Sequence, residues 1–159
     1  MNRRGFTLIE LMVSVAIIGI LAATAVSNFK FFSLRARKVE RDEMFSGLVK
    51  GAQDYLQQHD FSVPGGTLTA NWNPALPPTT QRRKLDWTLA GWNALAVQNY
   101  GNVYHSYYIY FQTTSPIYFL VQAEGDLDGD GVVNVRTQQW NMSQGKWSLT
   151  TDTETGGAF

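Results

Sequence analysis

Apolar positions are spread unevenly along the 159-residue chain: 17 of the 24 residues from 6 to 29 are apolar, and none between 11 and 26 is charged. In that run the apolar residues fall on every side of a helix rather than along one stripe, the pattern of a helix placed in lipid or in a large apolar core. At about 1.5 Å per residue the run reaches roughly 36 Å, enough to cross a hydrocarbon layer of about 30 Å. Arg3 and Arg4 stand before it and Lys30 after it. Polar helix formers follow directly from 31 to 58, with no proline and only Gly47 and Gly51 as weak breakers. There Phe45, Leu48, Val49, Ala52, Tyr55 and Leu56 recur at spacings of three and four, which predicts one apolar stripe that a sheet must cover. The pattern thus separates an all-round apolar helix at 6–29, its amphipathic continuation at 30–58, and a loop and β-rich head at 59–159.

Residues 62–80 hold four of the five prolines together with Gly65, Gly66, Asn71 and Asn73, and read as a surface connection. Leu85, Leu89, Trp92 and Leu95 are spaced for a short helical turn. Dense aromatic and β-branched residues then predict strands at 104–111, 117–121, 132–135 (extending toward Trp140) and 147–150. Turn-like residues at 113–116 and 141–145 separate the first pair and the last pair. Strands in sequence with short connections predict an antiparallel meander, so the expected class is α+β: a long N-terminal helix packed on a four-stranded antiparallel sheet.

Composition narrows the chemistry. The 13 Lys plus Arg are offset by 13 Asp plus Glu, which argues against a broad basic face for nucleic acid. The short run Arg82, Arg83, Lys84 has too few charges to prefer nucleic acid over a solvated loop. Without cysteine there is no disulfide, thiolate zinc site or thiol catalysis. His59 and His105 lie far apart and outside any spaced ligand motif, and no convergent Ser, His and acid set is visible. An enzyme on a membrane anchor is therefore the weaker reading. Aromatic residues on the strands read as core in preference to ligand stacking.

Two local features remain. Glu10 places a carboxylate inside the apolar run, at a cost of about 2.5–3.5 kcal/mol if it sat at a bilayer centre, so it calls for a partner. A secretory signal peptide also starts basic and runs apolar, and Ala22, Ala23 and Ala25 would offer its small-residue site. Against it stand Glu10 itself and the direct passage of the run into the amphipathic helix. The second feature is Asp126, Asp128 and Asp130 followed by Gly131, the D-x-D-x-D-G opening of a calcium loop, with the Val132 carbonyl at its seventh position and Asn134 at its ninth. Thr137 replaces the acid at the twelfth position, so Glu124 or another group must complete the shell or affinity falls. The same residues suit a Gly-Asp-Gly hairpin between Val121 and Val133 that needs no ion. Calcium is the one cofactor the sequence suggests, and no motif requires another.

The stretch Arg4, Gly5, Phe6, Thr7, Leu8, Ile9, Glu10, Leu11, with the apolar run 12–25 and its Gly19, resembles the class III signal of type IV pilins and pseudopilins. The resemblance implies that residues 1–5 are a leader removed by a prepilin peptidase between Gly5 and Phe6, and that Phe6 is then N-methylated. It implies that Glu10 pairs with the new N-terminal amine of a neighbouring subunit, where two costly buried charges offset each other. It implies a pilin fold without enzymatic activity. The precursor would be held by a single span in the cytoplasmic (inner) membrane. Pilus or secretion assembly machinery would polymerise it with its own copies or other pilins into a surface filament for adhesion, twitching motility or DNA uptake. The alternative within the resemblance is a pseudopilin of a type II secretion system. Many pilins have a proline where Ser27 stands, before Asn28, so here the resemblance gives no cause for melting between Gly19 and Ser27. Residues 125–134 are similar to calcium loops of dockerin type. A mature chain would carry +3 over 30–50 and −4 over 51–159, a gradient that predicts assembly weakened by salt.

Overall fold

The computed structural model describes residues 5–63, 67–95, 97 and 101–159. One helix, α1 (Leu8–Gln58), precedes five strands: β1 (Thr67–Asn73), β2 (Ser106–Gln112), β3 (Tyr118–Gly125), β4 (Asn134–Ser143) and β5 (Lys146–Thr155). The chain divides into two compact units, Met1–Ala36 and Arg37–Phe159.

In the first unit the helix begins where its residues provide a cap. The Thr7 hydroxyl accepts from the Glu10 N–H at 3.3 Å, while Glu10 Oε2 accepts from the Thr7 N–H at 2.9 Å and from its hydroxyl at 2.8 Å. This reciprocal exchange is a capping box, which satisfies amide groups that the first turn leaves open. Ser14 and Thr24 donate their hydroxyls to the carbonyls of Glu10 and Leu21, at 2.7 and 2.9 Å, so the helix itself satisfies them. The helix is continuous through Gly19 and residue 27, as the lack of a proline predicts. Its apolar residues from Leu8 to Phe32, among them Leu11, Val15, Ile18, Leu21 and Val26, are all exposed. The helix is long and apolar enough to cross a membrane.

In the second unit the apolar stripe of α1 is covered. Phe45, Leu48, Ala52 and Leu56 are buried in one cluster with Tyr107, Ile109 and Phe111 of β2 and Phe119, Val121 and Ala123 of β3. Full burial of one such large side chain contributes about 1.5–3 kcal/mol, so this stripe alone is a major part of what holds the unit together. The helix ends on a left-handed residue, Asp60 (φ 49°), with the Phe61 N–H bonded back to the Leu56 carbonyl at 2.7 Å. Phe61 then packs on Trp147 of β5, 6.2 Å between ring centres, which ties the helix end to the last hairpin.

The sheet order is β1-β2-β3-β4-β5 and every neighbouring pair is antiparallel. The four expected strands are β2 to β5, and the meander is as expected, but the sheet has a fifth strand. β1 lies inside the stretch 62–80 that was read as a connection. Its sequence, TLTANWN, alternates apolar and polar residues, and the glycine and prolines that suggested a loop stand at its two ends, with Pro74 directly after it. Residues 64–66 of that stretch, and residues 1–4 of the expected leader, lie outside the described residues. The turn at 87–95 forms with one helical bond, from the Asn93 N–H to the Leu89 carbonyl at 3.2 Å. It is pinned to β1 by the buried Trp92, whose indole N–H donates to the Asn71 carbonyl at 2.7 Å. β4 and β5 join through Gln144 and Gly145, both at positive φ (50° and 74°), the two-residue turn whose twist suits a hairpin.

Candidate functional site

Gly5, Phe6 and Thr7 precede the helix, and Phe6 is 76% exposed. A side chain built on Gly5 would meet nothing within 4 Å. The residues on both sides of the Gly5–Phe6 peptide bond are therefore exposed. Glu10 stands one turn further on, and both of its bonds to Thr7 fall on the single oxygen Oε2. The resemblance assigned Glu10 an intermolecular partner; within the chain its carboxylate caps its own helix.

The acidic loop between β3 and β4 brings its three carboxylates together. Oxygens of Asp126, Asp128 and Asp130 lie within 4.8 Å of one another. Asp126 accepts from the Gly129 and Gly131 amides at 2.8 and 3.2 Å, and Asp130 from the Val132 amide at 2.7 Å. Gly129 and Gly131 take positive φ (75° and 82°), which lets the loop close on itself. The other two expected ligands are differently placed. The Val132 carbonyl faces Gly157 so closely that a Cβ there would come within 2.6 Å of it. Asn134 is buried, with its side-chain oxygen bonded to Arg41 Nη1 at 2.7 Å and its amide nitrogen donating to Glu154 and to the Gly157 carbonyl at 3.0 and 2.6 Å. Thr137 lies within β4, paired with Gln122 and Thr153.

Asn134 belongs instead to a charged cluster that sequence reading did not find. Arg41, 1% exposed, meets Glu154 at 3.1 Å and Asp42 at 2.8 Å, and Lys38 meets Glu154 at 2.5 Å. Arg136 bridges Asp42 at 2.7 Å and Asp152 at 3.0 Å. Lys38 also donates to the Ala158 carbonyl at 3.1 Å, so the helix holds the last strand and the tail beyond it. Burial raises the Glu154 pKa, but hydrogen bonds from Lys38, Arg41 and Asn134 outweigh it and hold the carboxyl down at about 2. Nearby His105 is buried against Gly125, where a Cβ would collide with the imidazole ring. Burial, and then the charge of Arg41, push its pKa down to about 3. The imidazole is therefore neutral at ordinary pH. The sequence signal for this cluster is the opposite sign of residues 30–50 (+3) and 51–159 (−4).

The basic run at 82–84 is largely used inside the second unit. Arg82 pairs with Glu40 at 2.7 Å and lies over the Tyr104 ring at 5.0 Å. Arg83 donates to the Ala75 and Pro77 carbonyls and to the Ser106 hydroxyl.

Residues 1–26 match the family described as the prokaryotic N-terminal methylation motif. The chain is 46% identical over 59 residues to the type IV major pilin protein PilA of Myxococcus xanthus (strain DK1622), covering 37% of this chain and 27% of that protein. It is 42% identical over 67 residues to the type IV major fimbrial protein FimA of Dichelobacter nodosus, covering 42% of each. It is 37% identical over 68 residues to a fimbrial protein of Neisseria meningitidis serogroup B (strain ATCC BAA-335 / MC58), covering 43% of this chain and 39% of that one. The chain thus spans between 27% and 42% of the length of these curated relatives. No solved structure matches it. The motif and these relatives bear out the type IV pilin resemblance, and the α+β fold of one long helix on an antiparallel sheet agrees with it.

Proposed function

We propose that this chain is the structural subunit of a type IV pilus, cut between Gly5 and Phe6 by a prepilin peptidase, N-methylated at Phe6, and polymerised through its N-terminal helix into a surface filament. The observation that carries this reading is a capped helix, apolar and exposed on every side, that begins directly after an exposed Gly5–Phe6 peptide. Before assembly lipid solvates that surface, with the chain spanning the inner membrane once. Moving it from lipid into a bundle of like helices gains little hydrophobic energy, because lipid tails are as apolar as leucine. Close packing and a pairing of Glu10 with a neighbour's amine must therefore drive and register the assembly. The names of the relatives, major pilins and fimbrial proteins, favour a pilus over the pseudopilus of a type II secretion system. Immunogold labelling tests this: the protein is expected along long surface fibres, and labelling confined to a secretion apparatus would overturn the pilus reading.

We also propose calcium as a ligand of the 126–130 loop, supported by the convergence of Asp126, Asp128 and Asp130. With Asn134 held by Arg41, the site is a partial one. The thermal midpoint of the full chain should rise in millimolar calcium relative to chelator. An unchanged midpoint would remove calcium from the account.

A further inference from the structure

A groove of about 710 Å³ lies in the second unit between α1 and the β4–β5 hairpin. Its helix side carries the polar Ser46, Lys50, Gln53 and Asp54 around the apolar Val49, and its hairpin side carries Gln138, Trp140 and Trp147. The size falls within the range of about 300–1,000 Å³ typical of small-molecule sites.

The two indoles are held firmly. Trp140 stacks nearly parallel to the buried Phe119 (7°, 6.4 Å between centres), and Trp147 meets the same ring edge to face at 4.9 Å. The Trp140 N–H donates to the Gln138 side-chain oxygen at 3.3 Å, and the Trp147 indole nitrogen is buried. What Trp147 exposes to the groove is therefore ring carbon, and the Trp140 N–H is occupied by Gln138 on the same wall. The helix side has the opposite character. Gln53 offers a donor and an acceptor, Asp54 accepts and Lys50 donates, while Ser46, whose hydroxyl donates to the Asp42 carbonyl at 3.0 Å, offers only an acceptor. Lys50 and Asp54 stand four residues apart with opposite charge, so the lining has no net charge.

We propose that this groove binds a short neutral oligosaccharide. A sugar ring has one face of weakly positive C–H groups, which matches the negative face of an aromatic ring. Its rim of hydroxyls each donate and accept, which matches the mixed lining of the helix side. An anion or cation would be attracted by one of Lys50 and Asp54 and repelled by the other, whereas hydroxyls use both. Gln138 is already held by Asp152, to which its amide donates at 2.8 Å, so it fixes the hairpin wall. The site lies wholly in the second unit and does not depend on filament assembly.

The test uses the full chain in a sugar-free detergent such as lauryldimethylamine oxide. Cellotetraose, maltotetraose and chitotetraose are titrated to millimolar concentration while tryptophan fluorescence and heat are recorded. At least one should give a saturable signal in both readouts. Gln53→Ala and Asp54→Ala, surface changes on the helix, should each weaken that binding at least about fivefold, or about 1 kcal/mol. Trp140→Phe should weaken it while the thermal midpoint stays near that of the parent. The proposal is overturned if none of the three sugars saturates, or if binding is unchanged in both helix variants. A fluorescence change that follows protein concentration without sugar would mean that a second copy fills the groove, and would overturn it too.

Discussion

The two parts of α1 have the same backbone and opposite surroundings. Up to Phe32 the apolar residues face every direction and are exposed, and its Ser14 and Thr24 hydroxyls bond to the helix's own backbone. From Met44 on, the apolar residues form one stripe and are buried against the sheet, and charges beside the stripe pair with β4 and β5. Helix propensity does not distinguish the two parts. The distribution of polar residues does, because it decides whether the chain can cover its own apolar surface. In the second part it can, while for the first the reading proposed above supplies the cover from other molecules, lipid and then further copies.

The sharpest way to break that contrast is to alter one part and look for an effect in the other. Glu10→Val should abolish incorporation into fibres, because a neighbour's amine loses its partner in an apolar bundle. The thermal midpoint of the second unit in the same full-length variant should not move. Conversely, Phe111→Ala empties a fully buried position opposite α1 and should cost about 3–5 kcal/mol, read as a lower thermal midpoint, while N-terminal processing continues at permissive temperature. Glu154→Ala leaves Arg41 with one carboxylate, that of Asp42, in place of two. A fully buried pair would lose about 3–5 kcal/mol, but the Glu154 side chain is 37% exposed and water reaches it, so about 1–3 kcal/mol is expected from chemical denaturation.

Acid should destabilise the second part most through two groups, with Asp86 and Asp152, held below the usual carboxylate value by hydrogen bonds from Thr88 and Arg136, adding to the fall at lower pH. His105 and Glu154 both have folded-state pKa values below their ordinary 6.5 and 4.5, at about 3 and about 2. Each binds fewer protons folded than unfolded in those intervals, so stability is lost as pH falls. The loss begins near pH 6.5 through His105 and steepens below 4.5 through Glu154. His105→Gln should flatten the thermal midpoint between pH 6.5 and 4.5 and leave the steeper fall below it. An unchanged profile would remove His105 from this account. The smallest effect expected is that of salt on fibres: Lys38, Arg41 and Asp42 of the helix already pair with Glu154 and Arg136 of the same chain, which leaves less of the charge gradient for neighbours.

Both parts of the helix were legible because period and polarity are properties of neighbouring residues. So were β2 to β5, whose aromatic and β-branched runs are dense. β1 was hidden because glycine and prolines at its ends drew the whole of 62–80 into one loop, although Leu68, Ala70 and Trp72 alternate with polar residues. The capping partner of Glu10 was present in the Thr7-x-x-Glu10 spacing, but its place in an apolar run drew attention to a partner outside the chain. Local spacing points to Asn134 as a calcium ligand; the partners that its side chain meets in the structure, Arg41 and Glu154, are 93 and 20 residues away in sequence, and only the closed sheet brings them to it.

The central claim is that the exposed apolar helix is released at Gly5–Phe6 and becomes the packed core of a fibre. Intact mass and N-terminal sequencing of the protein from sheared surface fibres test it most directly. The account predicts a chain starting at Phe6 and heavier by one methyl group. A chain from those fibres that starts at any other residue, or the absence of this protein from them, would contradict it.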